Sequence, residues 1–173
     1  MKSSGDGYWM EILKKLDALA FKAIRTFAGI AMVLLTAVII IQILARYVFK
    51  VSIGGIEETP IFLMMISVWL SAIIVAREDG HVKIDLIDLM IKNKKILYIL
   101  KTVLRCLTTV VLGIYAKFAL DYLISSMRLG DTTPGLGIPV WMMHSFVFIS
   151  AFFMTLYYLI NSIKAIKEVW EWR

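Results

Sequence analysis

Four sets of residues carry side chains that could do chemistry, and each also has a plain structural use. Glu57 and Glu58 are adjacent carboxylates just before Thr59-Pro60. Paired acids can carry protons, face a partner's cations, or pair with Arg46 at the end of the preceding apolar run. They also suit a helix start, where free amides and the macrodipole favour negative charge and proline fits the first turn. Arg77, His81 and Asp85 are spaced Arg–x3–His–x3–Asp. His81 could titrate near neutral pH or act as a ligand, but a lone loop histidine more often caps or hydrogen-bonds. Arg77 suits a helix C-terminus, and Gly80 a chain reversal. Arg105 follows Lys101 by four residues inside an apolar segment. Such a cation faces protein, a water cavity, or headgroups reached by snorkelling. A partner subunit or a lipid phosphate is the sharper reading of it. The loop 131–139 is the fourth set. Pro134-Gly135 marks a turn, Pro139 can start a helix, and Trp141 suits interface depth.

These residue types exclude more than they assign. His81 and His144 belong to opposite ends of the chain's apolar segments, so one haem cannot use both. No His/Cys cluster has zinc spacing, and no glycine pattern cradles a nucleotide phosphate. No Ser/His or acid pair lies inside an apolar segment, as a membrane protease would need. The reading is therefore of a chain that is not an enzyme and that holds no cofactor.

The elements that must position these residues are membrane helices. Of 173 residues, 60% are hydrophobic and 18% charged, and mean hydropathy is +0.81. A soluble domain averages about 25% charged residues. The expected fold is all-α, one membrane domain over residues 1–173, with four spans. These lie near residues 27–45, 60–76, 96–122 and 140–160. The third carries Lys101, Arg105, Lys117 and Asp121. Its length exceeds a ~30 Å hydrocarbon core, so its outer charges are expected near headgroups, with Arg105 inside the slab.

Thirteen of the 19 basic residues fall in the two termini and the segment between spans 2 and 3. The positive-inside rule then puts both termini in the cytoplasm, as an even span count requires. The net charge of +6 thus belongs to loops and anionic headgroups, not to nucleic acid. The start of the chain lacks the pattern of a cleaved signal. Residues 82–92 are expected to form an amphipathic helix, with Asp85, Asp88 and Lys92 opposite Val82, Leu86, Leu89 and Met90. Too short and charged to span, it should lie flat at the cytoplasmic interface. Residues 9–24 have the same character, and either lie flat or extend span 1. The single Cys106 allows no intrachain disulfide.

In order along the chain stand Arg46-Tyr47, Glu57-Glu58, Trp69, the run from Ala76 to Asp85 and the run from Thr133 to Trp141. This order resembles the small membrane subunit, DctQ/SiaQ type, of tripartite ATP-independent periplasmic (TRAP) transporters. The resemblance covers about residues 46–158, and the Arg77–His81–Asp85 spacing is its most specific part. Two local features depart from it. Gly54-Gly55-Ile56 stands where an aromatic often precedes the acids, and span 4 has no internal proline.

The resemblance implies a multi-pass protein of the bacterial inner membrane. A soluble periplasmic protein would capture an organic acid, with sialic acid favoured over a C4-dicarboxylate. A large membrane subunit would carry it with sodium, which would bind that subunit, by an elevator motion. This chain would be the scaffold beside it, with no substrate site of its own. Arg46, Glu57 and Glu58 would order the periplasmic rim, and Arg77, His81 and Asp85 the cytoplasmic corner. Its partners would be the large subunit, the binding protein and membrane lipids. Two rival readings are a small transporter that dimerises around its own pathway, and a membrane anchor of a redox complex.

Overall fold

A computed structural model describes residues 4–51, 54–78 and 94–171. Four α-helices account for nearly all of them: α1, Ser4–Tyr47; α2, Thr59–Arg77; α3, Lys94–Leu129; and α4, Trp141–Glu171. A short 3-10 helix, Ile56–Glu58, leads into α2. Among the described residues there is no strand, only an isolated bridge between Thr132 and Pro139. All four helices are long and apolar enough to cross a membrane, over Lys15–Tyr47, Ile56–Arg77, Lys95–Leu129 and Trp141–Lys167. This is the expected all-α, four-span architecture. The flat helix expected at 82–92 lies outside the described residues.

The helices outrun the apolar segments that suggested them. The 44 residues of α1 are continuous, about 66 Å at 1.5 Å per residue. The amphipathic stretch at 9–24 is therefore an extension of span 1, not a separate helix. No proline interrupts it, none of its described charged side chains is buried, and Lys15 pairs with Glu11 one turn back at 2.9 Å. Likewise α3 continues past the expected end at Tyr122 to Leu129.

The chain divides into two compact units, Met1–Ile74 and Val75–Arg173. In the first, the covered positions of α1 run Phe21, Ile24, Ala28, Ala31, Leu35, Val38, Gln42 and Ala45. Steps of three and four alternate throughout, the 3.5-residue spacing of a left-handed helix seam. Along α2, only the line Ile61, Met64, Val68 and Ser71 is exposed.

In the second unit, α3 and α4 pack antiparallel. The covered line of α3 is Thr102, Arg105, Thr109, Leu112, Ala116, Ala119, Leu123 and Ser126, again in steps of three and four. Opposite it, Ala151, Ser162 and Ala165 are 0%, 4% and 1% exposed. Between membrane helices apolar burial gives no preference over lipid, so small residues that allow close backbone approach carry the packing. Threonine hydroxyls along this contact donate within their own helix. Thr102, Thr109 and Thr155 each donate to the carbonyl four residues back, at 3.0, 2.9 and 2.7 Å. That satisfies a polar group where no water is available.

Candidate docking surfaces

The end of α1 is built from a wide turn. The amide of Phe49 donates to the Leu44 carbonyl at 3.1 Å and that of Val51 to the Ala45 carbonyl at 2.9 Å. Lys50 closes the turn with φ +53°. Tyr47, Val48 and Phe49 are left largely exposed, as aromatic and apolar groups are at the edge of a bilayer. After it, Gly55 at φ +81° opens the 3-10 helix. The Glu58 amide donates to the Gly55 carbonyl at 3.1 Å.

Gln42 holds this turn to α1. Its Nε2 donates to the Ile56 carbonyl, which also accepts from the Thr59 amide. The glutamine sits on the covered line of α1, one turn before Arg46. It is a residue that the sequence reading missed. Glu57 is exposed and Glu58 partly covered and engaged. Both directly precede α2, where its dipole favours them. Arg46 is exposed in the last turn of α1 and forms no ion pair with either acid among the described residues. The amide of Gln42, not the guanidinium of Arg46, makes the link. A neutral clasp suits a site at the membrane edge, where an exposed ion pair contributes little.

The loop between α3 and α4 is a small closed hairpin. Gly130, at φ +68°, ends α3 with its amide on the Ser126 carbonyl at 3.2 Å. The amide of Thr133 donates to the Ile138 carbonyl and that of Val140 to the Asp131 carbonyl, both at 2.9 Å. The Ile138 amide returns to Thr133 Oγ1 at 3.2 Å. Gly137, at φ +64°, turns the tip and donates to the Thr133 carbonyl at 3.0 Å. Pro134 is exposed in the turn, while Pro139 is partly covered at the bridge to Thr132. The Met142 amide donates to the Pro139 carbonyl at 3.1 Å, so the first turn of α4 opens from Pro139. Trp141 is the first helical residue and is half-covered. Just inside, the rings of Tyr122 and His144 meet edge to face, 4.4 Å between centroids.

At the other end, Arg77 closes α2, partly covered and engaged. His81 and Asp85 lie outside the described residues, so the corner they were expected to build with Arg77 is not described. Arg105 is half-covered, engaged, and on the line of α3 that faces α4. Thr109, one turn on, lies 2.9 Å from Ser162. Arg105 is therefore level with about residue 166 of α4. That is past the uncharged stretch of α4, residues 141–163, and beside Lys164 and Lys167. Arg105 thus stands level with the basic end of α4, beyond its uncharged run.

Among the described residues, no group of His, Cys, Asp and Glu side chains could hold a metal ion. Cys106 is partly covered and free. What the termini of these helices offer is fixed surface, pinned by main-chain bonds. A family model described as tripartite ATP-independent periplasmic transporters, DctQ component, matches residues 35–168. No curated protein matches the chain.

Proposed function

The chain belongs to the DctQ component family of tripartite ATP-independent periplasmic transporters, and on that premise we propose that it is the scaffold beside the transporter's large permease subunit. It is a small membrane subunit of a transporter, a multi-pass protein of the bacterial inner membrane. Its family is one of transporter components, not of enzymes. In this reading a periplasmic binding protein delivers an organic acid, sialic acid ahead of a C4-dicarboxylate, and the permease imports it with sodium. The distribution of Lys and Arg supports cytoplasmic termini. That topology turns the Glu57–Glu58 segment to the periplasm, and the 131–140 hairpin as well.

The observation that carries the scaffold reading is the way its connections are held. Gln42 clasps the Ile56 carbonyl, and the hairpin closes on itself through Asp131, Thr133, Ile138 and Val140. Such preordered surfaces bind a partner without the cost of ordering a loop. The test is affinity purification of the tagged chain from its own membranes, then uptake in proteoliposomes. The permease should co-purify. Sodium-dependent uptake of sialic acid should need this chain, the permease and the binding protein together. Uptake by this chain alone would overturn the reading.

A further inference from the structure

Lys117 and Asp121 lie deeper in the membrane than their place in a charged helix suggests. The depth follows from α4, which is uncharged from residue 141 to 163. That run is about 34 Å long at 1.5 Å per residue, enough to cross a ~30 Å hydrocarbon core. Trp141 marks its start and Lys164 its limit. Two contacts set α3 against this ruler. Thr109 meets Ser162 at 2.9 Å, and a Cβ at Gly113 would stand 3.9 Å from Thr155. Counting on from either contact brings Lys117 opposite residues 151 to 154 of α4. That is the middle of the uncharged run. Asp121 is one turn nearer the hairpin and still within it.

Both side chains are exposed, on the face of α3 turned away from α4, roughly a third to half a turn around from the line that packs on it. Neither has an ion-pair partner among the described residues. The ends of the uncharged run lie at least nine residues away in either direction, about 14 Å or more along the helix. That is farther than one lysine stem can snorkel. An ionised group at this depth faces protein or water, not lipid. We propose that this flank of α3 is an interface within the membrane, occupied by a helix of the permease subunit that presents a carboxylate to Lys117. The inference rests on the reading of the chain as the small subunit of that transporter. The permease is the occupant because a mid-depth lysine calls for an opposite charge at its own depth. A second copy of the chain would bring another Lys117 to that level, and its Asp121 one turn away.

The test uses the intact transporter in its native membranes. Ile114, exposed on the same flank, is replaced by p-benzoylphenylalanine and irradiated. A covalent adduct with the permease is expected. In parallel, Lys117→Leu should lower the permease recovered with the tagged chain about tenfold, since it strips one member from a buried charge pair. Lys117→Arg should retain it. Leucine favours membrane insertion, so that loss would not come from failed insertion. Adducts only between two copies, or only with lipid, would overturn the interface. So would wild-type recovery with Lys117→Leu. If the unmodified chain itself recovers no permease, the reading as a transporter subunit fails instead.

Discussion

Thr109 and Ser162 share a hydrogen bond whose direction can be worked out. Thr109 Oγ1 donates its one proton to the Arg105 carbonyl at 2.9 Å. Its contact with Ser162 Oγ, also 2.9 Å, must then be made with a lone pair, so Ser162 is the donor. The pair ties α3 to α4 just inside the level of Arg105 and Lys164. It fixes the register of α3 against α4.

Removing the acceptor should loosen that register. Thr109→Val is expected to cost roughly 0.6 kcal/mol, and at most about 1.7, the range of interhelical hydrogen bonds in membranes. Thr109→Ser should restore most of it. In the double variant Thr109→Val with Ser162→Ala the cost should fall short of the sum, because neither hydroxyl is left seeking a partner. Thermal unfolding of the purified protein in detergent measures all three, and strictly additive losses would refute the pairing.

Gln42→Leu should free the turn before α2. The Ile56 carbonyl keeps only its bond from Thr59. The expected stability loss is about 1 kcal/mol, with faster hydrogen exchange over residues 54–59. Exchange unchanged there would mean that the clasp is idle.

At Lys50, with φ +53°, the choice of side chain should follow backbone preference. Lys50→Asn is expected to hold the melting temperature, since asparagine tolerates the left-handed region. Lys50→Val should lower the melting temperature, a β-branched residue being poorly accommodated there. Equal melting curves would argue against this turn.

Two glycines should respond in opposite directions to the same change. An added Cβ meets nothing within 4 Å at Gly137 or at Gly29, so packing does not decide either case. Gly137, at φ +64°, should lose about 1 kcal/mol as Gly137→Ala. Gly29, inside α1, should gain about 0.5 kcal/mol as Gly29→Ala. Differential scanning of both variants against the parent checks the contrast.

The four spans were legible because uncharged apolar length is what a bilayer selects, and residues 27–45 and 140–160 carry no Asp, Glu, Lys or Arg. Depth within span 3 was not. Charge alone suggested that Lys117 lay near a rim and Arg105 within the slab. Only the neighbouring helix, read through Thr109 and Ser162, supplies a ruler, which sets Lys117 within the uncharged run and Arg105 beyond it. Gln42 was passed over because one amide in an apolar run matches no motif. Its signal was positional: it stands on the 4-3 line of Phe21, Ala28 and Leu35. The ordered loop at 131–139 could be expected from Pro134-Gly135, but its particular bonds depend on Thr133 reaching across to Ile138.

The covered lines of α1 and α3 have a consequence for length. A line built from alternating threes and fours stays in phase only if residues are added or removed in sevens. One extra residue inside α3 would turn everything beyond it by 100°. Thr109 or Ala119 would then point outward, and Lys117 would swing away from its flank. The hairpin at 131–140 has no such phase to keep. Homologues that differ in length should therefore place their odd insertions there and leave the spans counting by heptads.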